Sequence, residues 1–201
     1  EKALEEKDFL IKEVHHRTKN NLAMVKSFIN LQSDKIDNRE VVQDLESQIG
    51  AIMTIHRKLY QDEDVTTIHL PRYLHEIVSE IFYSLSRDPI HLEVDIEDKV
   101  YISPDRAVLL GLIITELATN AVKHGFSEEE DKLFRMSLKE ENGRYHLSVS
   151  NSGRPFPRDV EIGNTTSLGL VLVESLVQQL RGSYTLERNP RTTFTISFPI
   201  V

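Results

Sequence analysis

Two adjacent histidines, His15 and His16, are the first residues along the chain whose type could support a reaction. The apolar residues around them recur at helical spacing. On a helix the neighbours of His16 one turn away are all polar, namely Lys12, Glu13, Lys19 and Asn20, whereas His15 lies nearer the apolar stripe. A solvent-facing imidazole with an ordinary pKa of about 6.5 keeps a neutral nitrogen that can act as a nucleophile at neutral pH. Adjacent histidines are also common as plain surface residues, so the pair by itself is a weak signal.

A second polar group lies within a long helical pattern at residues 103–125. Glu116, Asn120, Lys123 and His124 are three or four residues apart, which places them on one side of a helix whose other faces are apolar. A carboxylate and an amide oxygen are suitable ligands for Mg²⁺, and the nitrogens beside them suit a polyphosphate. An ordinary amphipathic helix would show the same stripe, but Glu and Asn among leucines and isoleucines need polar partners.

Two glycine-containing segments complete the set of candidates. The segment 151–153 (Asn-Ser-Gly) leaves a predicted strand, and the segment 167–170 (Ser-Leu-Gly-Leu) enters a predicted helix. A glycine allows the backbone to approach a flat ring or a phosphate closely, and the first amides of a helix favour an anion. The chain contains neither a GxxxxGK loop nor a GxGxxG fingerprint, so each segment alone could be only a turn.

The elements that position these residues form two regions. Up to residue 60 the apolar residues follow a helical period with a polar turn at 33–38, which predicts two helices in an αα-hairpin. Such a hairpin leaves an apolar stripe uncovered, and the simplest cover is a second copy, giving a four-helix bundle. Residues 61–67 are predicted to form a linker.

Beyond the linker, helical and strand patterns alternate. Helices are predicted at 70–85, 103–124 and 168–180, the second capped by Ser103 and stopped by Gly125. Strands are predicted at 90–96 and 100–102 and in two hairpins, 133–141 with 145–149 around Asn142-Gly143, and 184–187 with 193–198. Helices beside one mixed sheet indicate an α/β sandwich.

Composition limits the class of protein. The 201 residues include 24 Lys and Arg against 32 Asp and Glu, a net charge of −8, which argues against a nucleic-acid partner. The longest apolar run, 107–114, is far shorter than the ~20 residues that span a bilayer. The absence of cysteine excludes disulfides and thiolate metal sites and fits a reducing compartment. Because the chain begins with Glu1, we expect a fragment whose sensor domain or membrane anchor would lie upstream.

Taken in order along one chain, the four motifs resemble the catalytic core of sensor histidine kinases. The likeness is to the HWE-like subfamily, which has an HHRxKN sequence in its first helix, here 15–20, and it extends through 55–61 (IHRKLYQ) to essentially the whole chain. It implies an α+β protein with two domains. Residues 1–62 would form a dimerisation and histidine phosphotransfer hairpin, and residues 68–201 a Bergerat-type (GHKL) α/β sandwich that binds ATP.

The resemblance also implies roles for residues of the first helix. His16, directly before an arginine, would accept the γ-phosphoryl group, with His15 as the alternative. Asn20, one turn later, would help to orient a water for phosphatase chemistry. Arg17 departs from the acidic neighbour of the larger class, and a guanidinium cannot accept the second imidazole N–H. Glu13 is therefore the candidate that orients the imidazole, and Arg17 would stabilise the transferring phosphoryl group.

In the second half the resemblance implies a site for ATP and Mg²⁺. Glu116 would act beside the metal and Asn120 would ligate it. Further nucleotide contacts would come from Lys123, His124, Gly153, Ser167, Leu168, Gly169 and Leu170, with a lid at about 154–166. Asn151 stands where the family has Asp, so it would accept the adenine amino proton without a charge, which costs on the order of 1 kcal/mol.

The implied function is an autophosphorylating, ATP-dependent protein-histidine kinase that passes the phosphoryl group from His16 to an aspartate of a response-regulator receiver domain. A homodimer through the hairpin is implied, with a monomer left open, together with an upstream sensor domain and a cytoplasmic location. The alternative is a histidine phosphotransfer protein or pseudokinase with a degenerate nucleotide site, which Asn151 favours.

Overall fold

The structure, a computed structural model, describes residues 49–50, 52–55, 66–127, 131–157 and 168–200. The chain divides into two compact units, Glu1–Thr66 and Thr67–Val201. In the first unit residues 49–50 and 52–55 are helical, and Ile49 and Ile55 are buried. The rest of the hairpin predicted at 1–62, and the bundle that it would form, lie outside the described residues.

The second unit contains a main sheet and a small pair of strands. In chain order its described elements are β1 (Ile68–His69), α1 (Leu70–Leu85), β2 (His91–Asp95), β3 (Tyr101–Ile102), α2 (Pro104–Asn120), a π-helical turn (Ala121–Gly125), β4 (Leu133–Glu141), β5 (Arg144–Asn151), α3 (Leu168–Gln179), β6 (Ser183–Glu187) and β7 (Thr192–Pro199). The main sheet has the order β2-β4-β5-β7-β6, with β2 parallel to β4 and the other neighbours antiparallel. Strands β1 and β3 pair separately.

One face of the main sheet carries the core of the unit. Alternate side chains of β4, β5 and β7 are buried, namely Phe134, Met136, Leu138, Leu147, Val149, Phe194, Ile196 and Phe198. Helix α2 packs between α1 and α3, and Phe82 of α1 contacts Phe134 of β4 with ring centroids 5.3 Å apart. Helices layered against one face of a mixed sheet confirm the predicted α/β sandwich.

Helix α2 is the central helix of this layer. It begins at Pro104 after Ser103, which occupies the N-cap position as predicted: its carbonyl accepts from the Ala107 amide at 3.0 Å, although its side chain makes no capping hydrogen bond. In the described part of the chain, Pro104–Gly125 is the one helical stretch long and apolar enough to cross a membrane, but 56% of its apolar 18-residue segment is buried, as in the core helix of a folded domain.

Arg106 fastens the start of α2 to the end of β7. Its guanidinium donates to the carbonyl oxygens of Pro199 and Ile200, the latter at 2.6 Å, and lies over the ring of Phe198 at 5.1 Å. Burial lowers the pKa of Arg106 from its ordinary value. A planar fork of donors fits two neighbouring carbonyls better than an ammonium group would.

Candidate functional site

The structure describes the predicted site residues of the second unit except Ser167, and none of those of the first unit. His16 lies outside the described residues, and so do the residues assigned to its chemistry, Glu13, Arg17 and Asn20. Ser167, in the second glycine segment, also lies outside them. The site described below is therefore built from the ends of α2, β5 and α3.

Glu116 and Asn120 lie one turn apart on α2 and are both half-buried. The α-helical pattern stops at Asn120, and the next five residues form a π-helical turn, closed by the hydrogen bond from the Phe126 amide to the Ala121 carbonyl at 3.0 Å. The sequence predicts an α-helix to about residue 124, and the structure differs in that its last turn, Ala121–Gly125, is π-helical. π-helical turns are wider than α-helical ones and occur often at functional sites.

Lys123 and His124 lie within this π-helical turn and are exposed. Because the turn is wider, they do not continue the α-helical stripe of Glu116 and Asn120, although all four follow one another along the same end of the helix. The end of α2 therefore presents two half-buried oxygen-bearing side chains, followed by two exposed nitrogen-bearing ones.

The π-helical turn is locked to the loop that follows β5. Gly125 accepts a hydrogen bond from the Arg154 amide at 2.7 Å. Gly153 has a φ of +95°, and a Cβ there would lie 2.6 Å from the Gly125 carbonyl oxygen and 2.8 Å from the Ser127 nitrogen. A Cβ on Gly125 would lie 2.7 Å from the side-chain nitrogen of Asn151. At Gly153 the two backbones approach so closely that a side chain would displace the backbone, whereas a Cβ on Gly125 would displace the side-chain amide of Asn151.

Asn151 is the last residue of β5 and points into this junction. Its side-chain nitrogen donates to the Ser152 carbonyl at 2.8 Å. Among the described residues, no donor hydrogen-bonds to its amide oxygen. Asn151 is half-buried, and no fully buried side-chain nitrogen or oxygen in that part of the chain lacks a partner, so this oxygen is not fully buried. The side chain therefore presents an acceptor, and its orientation is fixed by a donor that a carboxylate would lack.

Sequence reasoning missed Ser152 and Thr192 as residues that hold this junction. Ser152 binds the start of β4 twice, through its amide to the Leu133 carbonyl and through its hydroxyl, which accepts from the Leu133 amide, both at 2.9 Å. Thr192 pairs with Asn151 in the sheet, is 5% exposed, and accepts a hydrogen bond from the Phe156 amide at 2.8 Å. The only sequence signal for Thr192 is a polar residue in the buried phase of an alternating strand.

The second glycine segment forms the start of α3. Gly169 and Leu170 are buried, and the helix begins at Leu168. Because α3 packs against α2, the amino-terminal end of α3 belongs to the same layer as the stripe on α2. The free amides of the first turn of a helix favour negative charge.

Two family models match the chain. Residues 13–85 match a model described as histidine kinase, and residues 105–201 match a model described as histidine kinase-, DNA gyrase B-, and HSP90-like ATPase. The second match contains all the described site residues, from Glu116 to Leu170.

Several known proteins resemble the chain along nearly its whole length. Blue-light-activated histidine kinase 2 of Erythrobacter litoralis is 30% identical over 97% of this chain and 58% of its own length, and the sensor histidine kinase PdtaS of Mycobacterium tuberculosis is 30% identical over 91% and 37%. This chain thus spans little more than half the length of the first relative and little more than a third of the second. The solved histidine kinase domain of Erythrobacter litoralis EL346 is 27% identical, with a TM-score of 0.68 over 100% of this chain and 95% of that domain.

The two family models follow one another in the order expected for a kinase core, and the solved domain matches the chain from end to end. The site on α2, β5 and α3 lies within the part of the chain matched as an ATPase. The chain therefore belongs to the histidine kinase family.

Proposed function

We propose that this chain is an ATP-dependent, autophosphorylating protein-histidine kinase that transfers the γ-phosphoryl group of ATP to His16 and then to an aspartate of a response-regulator receiver domain. The observation that carries the proposal is the junction of Gly125, Asn151 and Gly153. It joins the end of α2 to the end of β5: the backbone at Gly153 lies directly against the π-helical turn, and the Asn151 side chain lies against Gly125.

The nucleotide half of the proposal uses the described residues. Asn151 offers an acceptor for the amino group of adenine, and the glycine junction fixes the end of β5 that carries it. Lys123 and His124 are exposed at the end of the same helix and would contact the phosphates. The amides of Ser167, Leu168, Gly169 and Leu170 would add the helix terminus that favours an anion.

Glu116 and Asn120 fit the binding of Mg²⁺ together with a nucleotide. Both bear side-chain oxygens and are half-buried one turn apart. Mg²⁺ usually takes one or two protein oxygens and completes its shell with water and substrate phosphates. The part of the chain that the structure describes contains no group of three or more His, Cys, Asp or Glu that could hold a metal ion without a substrate. When bound, Mg²⁺ would neutralise charge on the phosphates.

In the phosphotransfer half, a neutral imidazole nitrogen of His16 would form a bond to the γ-phosphorus while the bond to the bridging oxygen breaks and ADP leaves. Glu13 would accept the other imidazole N–H and so fix the tautomer. Arg17 would offset charge on the transferring group, and Asn20 would orient water in a separate phosphatase reaction, which releases inorganic phosphate. The hairpin would pair with a second copy of the chain. The receiver domain would bind against the helix that carries His16.

Labelled ATP tests the proposal directly. Incubation of the whole chain with γ-labelled ATP and Mg²⁺ should give a protein label that is stable in base and lost in acid, as expected for a phosphohistidine. His16→Ala should abolish the label, and the adjacent His15→Ala, the matched control, should retain it. The reverse pattern would move the nucleophile to His15, and a label in neither the wild type nor either variant would contradict kinase activity.

A histidine phosphotransfer protein or pseudokinase is the second candidate, and the neutral Asn151 favours it. In that case His16 would take its phosphoryl group from a phosphorylated receiver, and ATP would give no label. Parallel incubations with labelled ATP and with a labelled receiver distinguish the two. A kinase with an active nucleotide site must be labelled from ATP, whereas label from the receiver alone would select the phosphotransfer protein.

A further inference from the structure

The backbone that leaves the glycine junction, residues 154–157, is fastened on both sides. On one side the Arg154 amide donates to the Gly125 carbonyl at 2.7 Å. On the other side the Phe156 amide donates to the buried Thr192 hydroxyl at 2.8 Å. These four residues form the described beginning of the expected lid, and their position is set by contacts with β7 as well as by the end of α2.

The ring of Phe156 is held between two residues of the β6–β7 hairpin. Phe194 of β7 meets it edge to face, with centroids 5.6 Å apart and planes at 85°. The guanidinium carbon of Arg188 lies over the same ring, 5.8 Å from its centroid. Edge-to-face aromatic pairs and cations over aromatic faces are both attractive arrangements. Both contacts therefore help to hold the Phe156 ring in place.

Arg188 also reaches the backbone beyond the ring, because its Nε donates to the Pro157 carbonyl at 3.4 Å. It follows the last residue of β6 and is half-buried, whereas Arg191, in the same turn, is exposed. The turn lies beside the nucleotide site because β5 ends at Asn151, which pairs with Thr192, the first residue of β7.

We propose that Arg188 is a positioning residue for the nucleotide: through Phe156 it holds residues 154–157, and thereby the Gly153 junction, in the arrangement that binds ATP. The inference rests on the proposed nucleotide function of that junction. Arg188 acts from the hairpin turn by ordering the backbone, and its contribution should be seen in nucleotide affinity while phosphoryl transfer at saturating ATP stays the same.

The test compares Arg188→Ala with Arg191→Ala in the whole chain. Both variants remove one positive charge from the same turn. Of the two arginines, Arg188 is the one whose guanidinium lies over the Phe156 ring in the described part of the chain. We expect Arg188→Ala to raise the dissociation constant for a non-hydrolysable ATP analogue roughly three- to tenfold, the range of a cation–π contact with a weak hydrogen bond. Arg191→Ala should leave it unchanged, and Arg188→Lys should recover part of the affinity.

A double-variant cycle separates positioning from a general loss of stability. In a Phe156→Leu background, Arg188→Ala should weaken affinity much less than it does in the wild type, because the ring contact is already gone and only the weaker hydrogen bond to the Pro157 carbonyl is lost. The initial labelling rate at saturating ATP should be equal in the wild type and Arg188→Ala. Equal weakening by the two arginine variants, or additive effects in the cycle, would overturn the inference alone. Absence of nucleotide binding by the wild type would overturn the proposed function and the inference with it.

Discussion

Gly153→Ala is the substitution for which the structure gives the clearest expectation. The added methyl would lie 2.6 Å from the Gly125 carbonyl oxygen, 2.8 Å from the Ser127 nitrogen and 3.0 Å from the Phe126 Cα. All three atoms belong to the backbone of the π-helical turn or the residues after it, so no side chain can rotate away to make room. The φ of +95° at this position adds a second cost, since residues with a Cβ rarely adopt it.

The two costs can be estimated separately. A left-handed backbone costs a non-glycine residue roughly 1–2 kcal/mol, and forcing a methyl into a packed site costs roughly 1–3 kcal/mol. Together they should lower the free energy of unfolding by about 2–5 kcal/mol, a large share of the ~5–15 kcal/mol of an ordinary domain. The displacement also breaks the hydrogen bond from the Arg154 amide to Gly125, so nucleotide affinity should fall by roughly tenfold.

Gly143→Ala is a matched control for the backbone cost alone. Gly143 has a φ of +73° in the β4–β5 turn, and a Cβ there would meet nothing within 4 Å. We expect Gly143→Ala to lower the free energy of unfolding by only about 1–2 kcal/mol and to bind an ATP analogue as the wild type does. Urea unfolding and calorimetric titration of the whole chain measure both quantities. Equal destabilisation by the two variants, or wild-type affinity in Gly153→Ala, would refute the argument that steric contact joins these backbones.

Three further outcomes are expected. Arg106→Lys should lower the free energy of unfolding by about 1–2 kcal/mol, measured by urea titration, because a lysine ammonium does not fit the Pro199 and Ile200 carbonyls as the planar guanidinium does; an unchanged free energy of unfolding would show that this geometry contributes nothing. The hydrogen bond from Lys132 lowers the pKa of Asp88, so this carboxylate contributes stability above its unfolded pKa and loses it as the pH falls through the folded pKa. Asp88→Asn should therefore melt below the wild type at pH 7, and the gap should close in acid as the pH falls through the lowered, folded-state pKa of Asp88; a gap that persists in stronger acid would contradict the ion pair. Asn151→Asp should change affinity for an ATP analogue by less than about threefold, measured by calorimetry.

Local sequence signals predicted most elements of the second unit. The turn at Asn142-Gly143 has φ values of 52° and 73° at its two central residues, the left-handed pair that a two-residue hairpin of this sequence requires. Apolar alternation located β4 and β7, because in those strands one face is buried and the other is not. These features depend on neighbours within a few residues, which is the range that a sequence pattern reports.

The features that the sequence did not reveal depend on distant contacts. The residues before Gly125 continue a helical pattern, and the shift to a π-helical turn coincides with the lock between Gly125 and residues 153–154, about 30 positions along the chain. The parallel pairing of β2 with β4 spans the whole of α2. Similarly, the placement of Arg188 over Phe156 joins two loops that no local pattern relates. Tertiary packing decides each of these.

The amide of Asn151 shows why the loss of a charge does not measure the loss of function. Counting the charge alone, aspartate at this position should bind the adenine amino group about 1 kcal/mol more tightly. In the structure, however, the side-chain nitrogen donates to the Ser152 carbonyl at 2.8 Å, and a carboxylate would replace that hydrogen bond with a repulsion between two oxygens. A neutral hydrogen bond contributes about 0.5–1.5 kcal/mol, which offsets the gain. Because Asn151 is integrated into the junction through this bond, an affinity that rose tenfold in Asn151→Asp would mean that the Ser152 contact does not orient the amide.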